Sequence, residues 1–254
     1  MKKRSIVAMV ATGVLALMQI SCGGDDDGGG GNADVTVTAP VGGGAAPVLI
    51  WGNATGTRTS TYTSLFDHFA ANGYLVVASN DTSTGDGDSL ITALDWIEAE
   101  NRRSGSPYYG KADLSRVAVS GHSQGGASAV VVAGRDSRIG ALAAIMPDCA
   151  FWVNCDNAGD IRGTSLLIAG GSDSLVSTRT VRGVYDDIRR SPVVYAEIDG
   201  MGHTGWFGDQ VDDVGKQILA FFDGVFGDSG KLSQFSGSNC SVCGRDWDLE
   251  SKNF

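Results

Sequence analysis

Apolar residues in this chain recur in short unbroken runs separated by amphipathic stretches. The runs are VLIW (48–51), YLVVAS (74–79), RVAVS (116–120), LAAIM (142–146), SLLIAG (165–170) and VVYAEI (193–198). Each has the length and continuous apolarity of a strand buried on both faces. Between them, side chains repeat at helical spacing. Tyr62, Leu65, Phe66 and Phe69 share one face, with Gly73 as the stop; Leu90, Ile91, Leu94 and Ile97 share another. Val181, Val184, Tyr185 and Ile188 form a third stripe, and Val214, Ile218, Phe221, Phe222 and Val225 a fourth. Strand and helix in alternation predict an α/β domain: a mostly parallel sheet of about eight strands with helices on both faces. No internal repeat is visible, and the last 25 or so residues, rich in Ser, Gly and Asn, read as an irregular tail.

The N-terminus breaks this pattern. Lys2, Lys3 and Arg4 precede the apolar run IVAMVATGVLALMQI, then Ser21, Cys22 and the tether GGDDDGGGGN. A basic start, a short apolar core and a cysteine directly after it resemble a bacterial lipoprotein signal, in which Cys22 becomes the lipidated first residue. Gln19 stands where such signals usually carry leucine, so ordinary secretion is the alternative. The expected organisation is a signal over 1–21, a flexible Gly/Asp-rich tether over 22–33 and one α/β domain over 34–254 with a cysteine-containing tail. Contact with a membrane is expected only through the lipid anchor.

Charge narrows the partners. The formal net charge is −10, and removing residues 1–21 takes away three cations and no anions, leaving −13. That balance argues against nucleic acid and against attraction to anionic lipid. A monomer is expected. Cysteine usage agrees with export: setting Cys22 aside leaves an even set, Cys149, Cys155, Cys240 and Cys243. Local pairs, 149–155 and 240–243, are the simplest of three connectivities. A metal or redox reading of Cys240-x-x-Cys243 lacks a second CxxC or a ligand-spaced histidine, so no metal and no cofactor is expected.

The candidate chemistry lies in VAVSGHSQGG (117–126). G-x-S-x-G at a strand-to-helix junction describes a nucleophile elbow, with Ser123 held at the strand tip and glycines allowing strand and helix to approach. A serine nucleophile needs a base, and the base an orienting carboxylate. Of three histidines, His68 lies mid-helix, and His122 adjoins Ser123 with its side chain diverging. His203, in EIDGMGHTGWFG, sits on a loop after a strand, where α/β sheets place their sites. Asp173, in GGSDSLVS past the SLLIAG strand, is the expected acid; Asp148 and Asp199 compete with it. The order Ser123, Asp173, His203 is that of the α/β-hydrolases. Oxyanion donors are expected from the backbone of Gln124 and of Thr55 in WGNATGTRTSTY, with Ala54 or Gly56 as alternatives to Thr55.

These segments, with APVLIWGNATG, LFDHFAANGYLVVASNDTS and SPYYGKADLSRVAVSGHSQGGAS, resemble bacterial polyester hydrolases of the cutinase and PET-hydrolase type. These belong to the dienelactone-hydrolase-like α/β-hydrolases. The resemblance runs from about Pro47 to Phe226. It implies an eight- or nine-stranded hydrolase sheet, the triad Ser123, His203 and Asp173, oxyanion donors at Gln124 and Thr55, and a shallow cleft for ester chains. The chain departs from it in three places. The segment before Pro47 is short, suggesting a missing edge strand. Thr55 stands where such enzymes offer an aromatic. Their tryptophan after the strand that follows the elbow is not in register here; DCAFWVNC instead presents Phe151 and Trp152 on a different loop. Phe151, Trp152 and Trp206 are the candidate apolar wall for the acyl chain.

The expected activity is exported serine hydrolysis of carboxylic esters, with polyesters among the candidates. Lipase or small-ester carboxylesterase activity, and a non-catalytic surface binding protein on the same fold, are the alternatives.

Overall fold

The computed structural model describes residues 19–21, 33–206, 211–236, 240–244 and 246–254. Nine described strands form one sheet: β1 (Gln19–Ser21), β2 (Val35–Thr38), β3 (Ala46–Gly52), β4 (Leu75–Ser79), β5 (Ala112–His122), β6 (Ile139–Ile145), β7 (Thr164–Gly170), β8 (Val193–Ile198) and β9 (Trp247–Lys252). Their spatial order is β1-β2-β4-β3-β5-β6-β7-β8-β9. The six strands from β4 to β8 in that order are mutually parallel, while β1, β2 and β9 pair antiparallel at the margins.

The six parallel strands are the six apolar runs of the sequence, and burial explains why. All five residues of β4 are buried, as are Val48–Gly52 of β3 and Val117–His122 of β5. Helices cover both faces, so no face is left for polar alternation. The helices are α1 (Thr63–Ala71), α2 (Asp88–Arg102), α3 (Gln124–Arg135), α4 (Thr178–Asp187) and α5 (Val211–Phe226). In α4 the stripe Val181, Val184 and Tyr185 is buried, and the Ser177 hydroxyl caps the start by accepting the Thr180 N–H. In α3 every residue from Gln124 to Ala133 is buried, which its run of Gly, Ala, Ser and Val permits.

Two expectations fail at the edges. The chain before Pro47 supplies β2, paired through Val35–Thr38 with Val76–Ser79, so that edge is not missing. The tail is not irregular throughout: β9 pairs with all six residues of β8. Both segments are partly polar and short, and each becomes a strand because a neighbouring edge offers unpaired backbone groups. The proposed lipidation residue Cys22 and the tether over 22–32 lie outside the described residues, as does most of the expected signal segment.

The topology also fixes where a site can form. From β3 the chain passes through α1 to β4 on one side, whereas from β5 it passes through α3 to β6 on the other. The adjacent ends of β3 and β5 are therefore a topological switch point, the crevice where doubly wound sheets bind ligands.

Candidate active site

Ser123 follows β5 at this switch point and has φ 57° and ψ −119°. A left-handed φ at a non-glycine residue costs about 1–3 kcal/mol and persists only where surroundings enforce it. Close packing enforces it here. A Cβ on Gly121 would meet the Gly125 carbonyl carbon at 2.5 Å and the Gly52 oxygen at 2.8 Å. One on Gly125 would lie 2.5 Å from the Asn53 oxygen and closer still to the Gly52 carbonyl. The loop after β3 is thus pressed against the elbow, and only glycine fits between them. The Ser123 N–H donates to Ile145 O at 2.9 Å, and the Ser123 carbonyl accepts Ala127 N–H at 3.0 Å and Asp148 N–H at 3.1 Å. The elbow backbone has little freedom left.

Asp173 and His203 come from the loops after β7 and β8. Those loops are laced together by Gly171 N–H to Ile198 O at 2.8 Å and Ser172 N–H to Met201 O at 2.9 Å. The buried Asp173 carboxylate accepts Leu175 N–H at 2.8 Å and Val176 N–H at 2.9 Å through Oδ1. This leaves Oδ2 facing His203 Nδ1 at 2.7 Å. His203 Nε2 lies 3.0 Å from Ser123 Oγ. With the carboxylate accepting from Nδ1–H, the neutral ring has its lone pair on Nε2, where it can take the serine proton. The competing acids lie elsewhere. Asp148 Oδ1 accepts the Phe151 N–H at 3.3 Å, and Asp199 is exposed, its N–H bonded to Asp246 O.

Among the three expected sources of the second oxyanion donor, two are engaged. The Ala54 N–H donates to the Tyr62 hydroxyl at 3.2 Å and the Gly56 N–H to Thr82 O at 2.8 Å. Thr55 is exposed between them. The Gln124 N–H is the first of α3, among those that a helix leaves without an intrahelical partner.

The expected apolar wall divides. Cys149 and Cys155 are joined, and so are Cys240 and Cys243. The first bridge closes a loop at the C-terminal end of β6 whose tip carries Phe151 at 82% and Trp152 at 68% exposure. Exposed Leu175 stands on the neighbouring loop after β7. Trp206 corrects the expectation: it has no exposure and lines no surface. It stacks on Tyr62 (centroids 5.9 Å, 18° between planes) and meets His122 edge-on at 5.1 Å. A large flat ring next to the buried Trp51 and Phe66 cluster gains more from packing than from a loop surface.

Two residues near the site make contacts that the sequence did not point to. His122 points away from Ser123, as expected, but it does not stop at packing. Its Nε2 lies 2.9 Å from the His203 carbonyl oxygen and its Nδ1 3.2 Å from the Tyr62 hydroxyl. Burial, then the neighbouring His203, push the ring's pKa down to about 3, against the pull of the His203 carbonyl. Burial likewise raises the Tyr62 phenol above its ordinary value, so it stays a hydroxyl. In the sequence, Tyr62 is one more apolar-stripe residue; a histidine beside the nucleophile was the one available signal.

Comparison with known proteins bears on the family and the class of chemistry. A family model described as PET hydrolase-like matches residues 10–253. Chlorophyllase-1, chloroplastic, of Citrus sinensis is 29% identical over 100 residues, covering 37% of this chain and 30% of that protein. The Citrus unshiu chlorophyllase-1 is 28% identical over the same length, with the same shares. The match thus spans under a third of the length of these curated relatives. The family match covers nearly the whole chain, its sheet and elbow included, and the chain belongs to the PET hydrolase-like family of ester hydrolases.

Proposed function

We propose that this chain is an exported serine hydrolase that cleaves carboxylic esters through an acyl-enzyme, with extended, polymer-like esters among its substrates. The observation that carries the reading is the continuous relay from Asp173 through His203 to Ser123, with spacings of 2.7 and 3.0 Å, at the start of a buried helix. Ser123 Oγ attacks the ester carbonyl while His203 Nε2 takes its proton and then delivers it to the departing alkoxide. Asp173, held by two backbone N–H groups, keeps the imidazole in the required tautomer and supports its charge. The N–H groups of Gln124 and Thr55 receive the oxyanion. Water, activated by the same histidine, releases the acid.

Two exposed aromatics, on the loop whose Asp148 N–H bonds the Ser123 carbonyl, support a long acyl or polymer chain lying across the surface rather than a small ester sealed in a pocket. The N-terminal signal pattern and two disulfides support export. Cleavage before Cys22 would remove β1 and leave β2 as the edge strand.

Ser123→Ala tests the chemistry. It should lose several orders of magnitude in kcat on a p-nitrophenyl ester while folding normally. An organophosphate label on a different serine overturns the assignment. A panel of polyester film, triglyceride and short p-nitrophenyl esters separates polyesterase from lipase and small-ester esterase, and absence of acyl-enzyme with every ester would favour a binding protein.

A further inference from the structure

Hydrogen-bond polarity around His122 follows from the groups that face its two nitrogens. The His203 carbonyl oxygen can only accept, so His122 Nε2 carries the proton and donates across 2.9 Å. Burial keeps the ring neutral, so its Nδ1 is an acceptor to which the Tyr62 O–H can donate across 3.2 Å. The Tyr62 oxygen in turn accepts the Ala54 N–H at 3.2 Å. The nearby Thr57 hydroxyl, 3.3 Å from Tyr62, has its own acceptor in the Ala54 carbonyl at 2.8 Å. The chain therefore runs Ala54 N–H to Tyr62 O–H to His122, and His122 Nε2–H to the backbone of His203.

Its two ends are what matter. Ala54 directly precedes Thr55, whose N–H is the proposed oxyanion donor, and His203 is the proposed base. The loops after β3 and after β8 are far apart in sequence, and this chain connects them through the elbow residue itself. Adjacent residues of the elbow grip the same partner twice: His122 holds the backbone of His203 while Ser123 meets its ring. Packing seals the chain from water, since Tyr62, His122 and Trp206 are all buried, with Trp206 stacked on one and edge-on to the other. Away from water, each of these hydrogen bonds is strengthened and any break in the chain is penalised.

We infer that Tyr62 and His122 are positioning residues that lock the oxyanion loop and the catalytic-histidine loop into one register around Ser123. The inference rests on the hydrolase reading above. Neither side chain touches the reacting atoms; Tyr62 acts through the backbone of Ala54 next to Thr55, and His122 through the backbone of His203. Small misplacements of such groups lower turnover steeply, by as much as about a hundredfold for an error near 1 Å.

Tyr62→Phe deletes only the hydroxyl and keeps the ring that packs on Trp206. With active sites counted by phosphonate titration, it should lower kcat on p-nitrophenyl acetate by roughly ten- to a hundredfold, with KM changed by less than about twofold. His122→Gln, whose amide can still donate to the His203 carbonyl, should retain more kcat than His122→Leu. Because the links act in series, Tyr62→Phe combined with His122→Leu should lose little beyond His122→Leu alone. A purely structural role predicts otherwise. If Tyr62→Phe lowers only the melting temperature and titrated sites turn over at the wild-type rate, or if the two losses multiply, the inference is wrong. Ser123→Ala run alongside separates the two failures. Its retaining activity would overturn the hydrolase reading, whereas its inactivity beside a fully active Tyr62→Phe would overturn only the positioning role.

Discussion

Acid should destabilise this protein through one identifiable ring. Buried His122 holds a pKa of about 3, against 6.5 for an ordinary histidine, with burial as the main cause and the nearby His203 as the second. The unfolded chain therefore takes up a proton near pH 6.5 that the folded protein refuses until about pH 3. The stability associated with the neutral ring is complete above the unfolded value and is lost as pH falls towards the folded one. The slope is about 1.4 kcal/mol per pH unit within that window. Between about pH 7 and about pH 4.5 this ring alone accounts for roughly 2–3 kcal/mol. Any folded value below about 4 gives nearly the same figure, because the loss at pH 4.5 is set by the unfolded histidine. Urea unfolding of the wild type and of His122→Gln across that range isolates the ring, since carboxylates titrate alike in both and cancel in the difference. The wild type should lose about 2–3 kcal/mol more than the variant. Parallel pH dependences would mean that His122 accepts a proton in the native state. Neither its neutral tautomer nor the direction of the Tyr62 bond would then hold.

Three further outcomes follow from the geometry. Gly125→Ala drives a Cβ onto the Gly52 carbonyl and the Asn53 oxygen, both backbone; it should destabilise by about 3 kcal/mol or more, read as a fall in melting temperature, and a near-native melting point would mean that the β3 loop does not rest on the elbow. Asp173→Asn should lower kcat about 10⁴-fold by analogy with serine-protease triads, whereas Asp148→Asn should be mild; the reverse ranking would identify Asp148 as the acid. Replacing Cys149 and Cys155 together by serine should raise KM for a polymeric ester severalfold while leaving turnover of an acetate ester close to wild type, because the bridge restrains only the loop carrying Phe151 and Trp152; equal losses on both substrates would mean that the bridge supports the catalytic loops themselves.

Local chemistry explains what the sequence by itself determined. Six strands buried on both faces must be continuously apolar, so VLIW, YLVVAS, RVAVS, LAAIM, SLLIAG and VVYAEI were legible without a partner in view. The elbow was legible because a serine at positive φ between closely approaching backbones requires glycine on either side. Cysteines six and three residues apart can pair within their own loops, and they do. Asp173 and His203 could be named because only three histidines were available, and because chain order and strand ends narrowed the carboxylates to Asp148, Asp173 and Asp199.

Other features belong to the tertiary structure alone. Val35–Thr38 alternates β-branched Val and Thr but is only four residues long, and Trp247–Lys252 is mostly polar; each is held as a strand because β4 or β8 presents an open edge. Trp206 looks like a cleft aromatic from its place on the His203 loop, yet it is buried because the fold sets Trp51, Tyr62 and His122 beside it. The bond between Tyr62 and His122 spans 60 positions, and that from His122 to the His203 carbonyl spans 81. Whether a histidine is a proton carrier or a neutral strut depends on burial and on which atoms face its two nitrogens. Residue spacing encodes neither, because both arise only when distant loops close around the same ring.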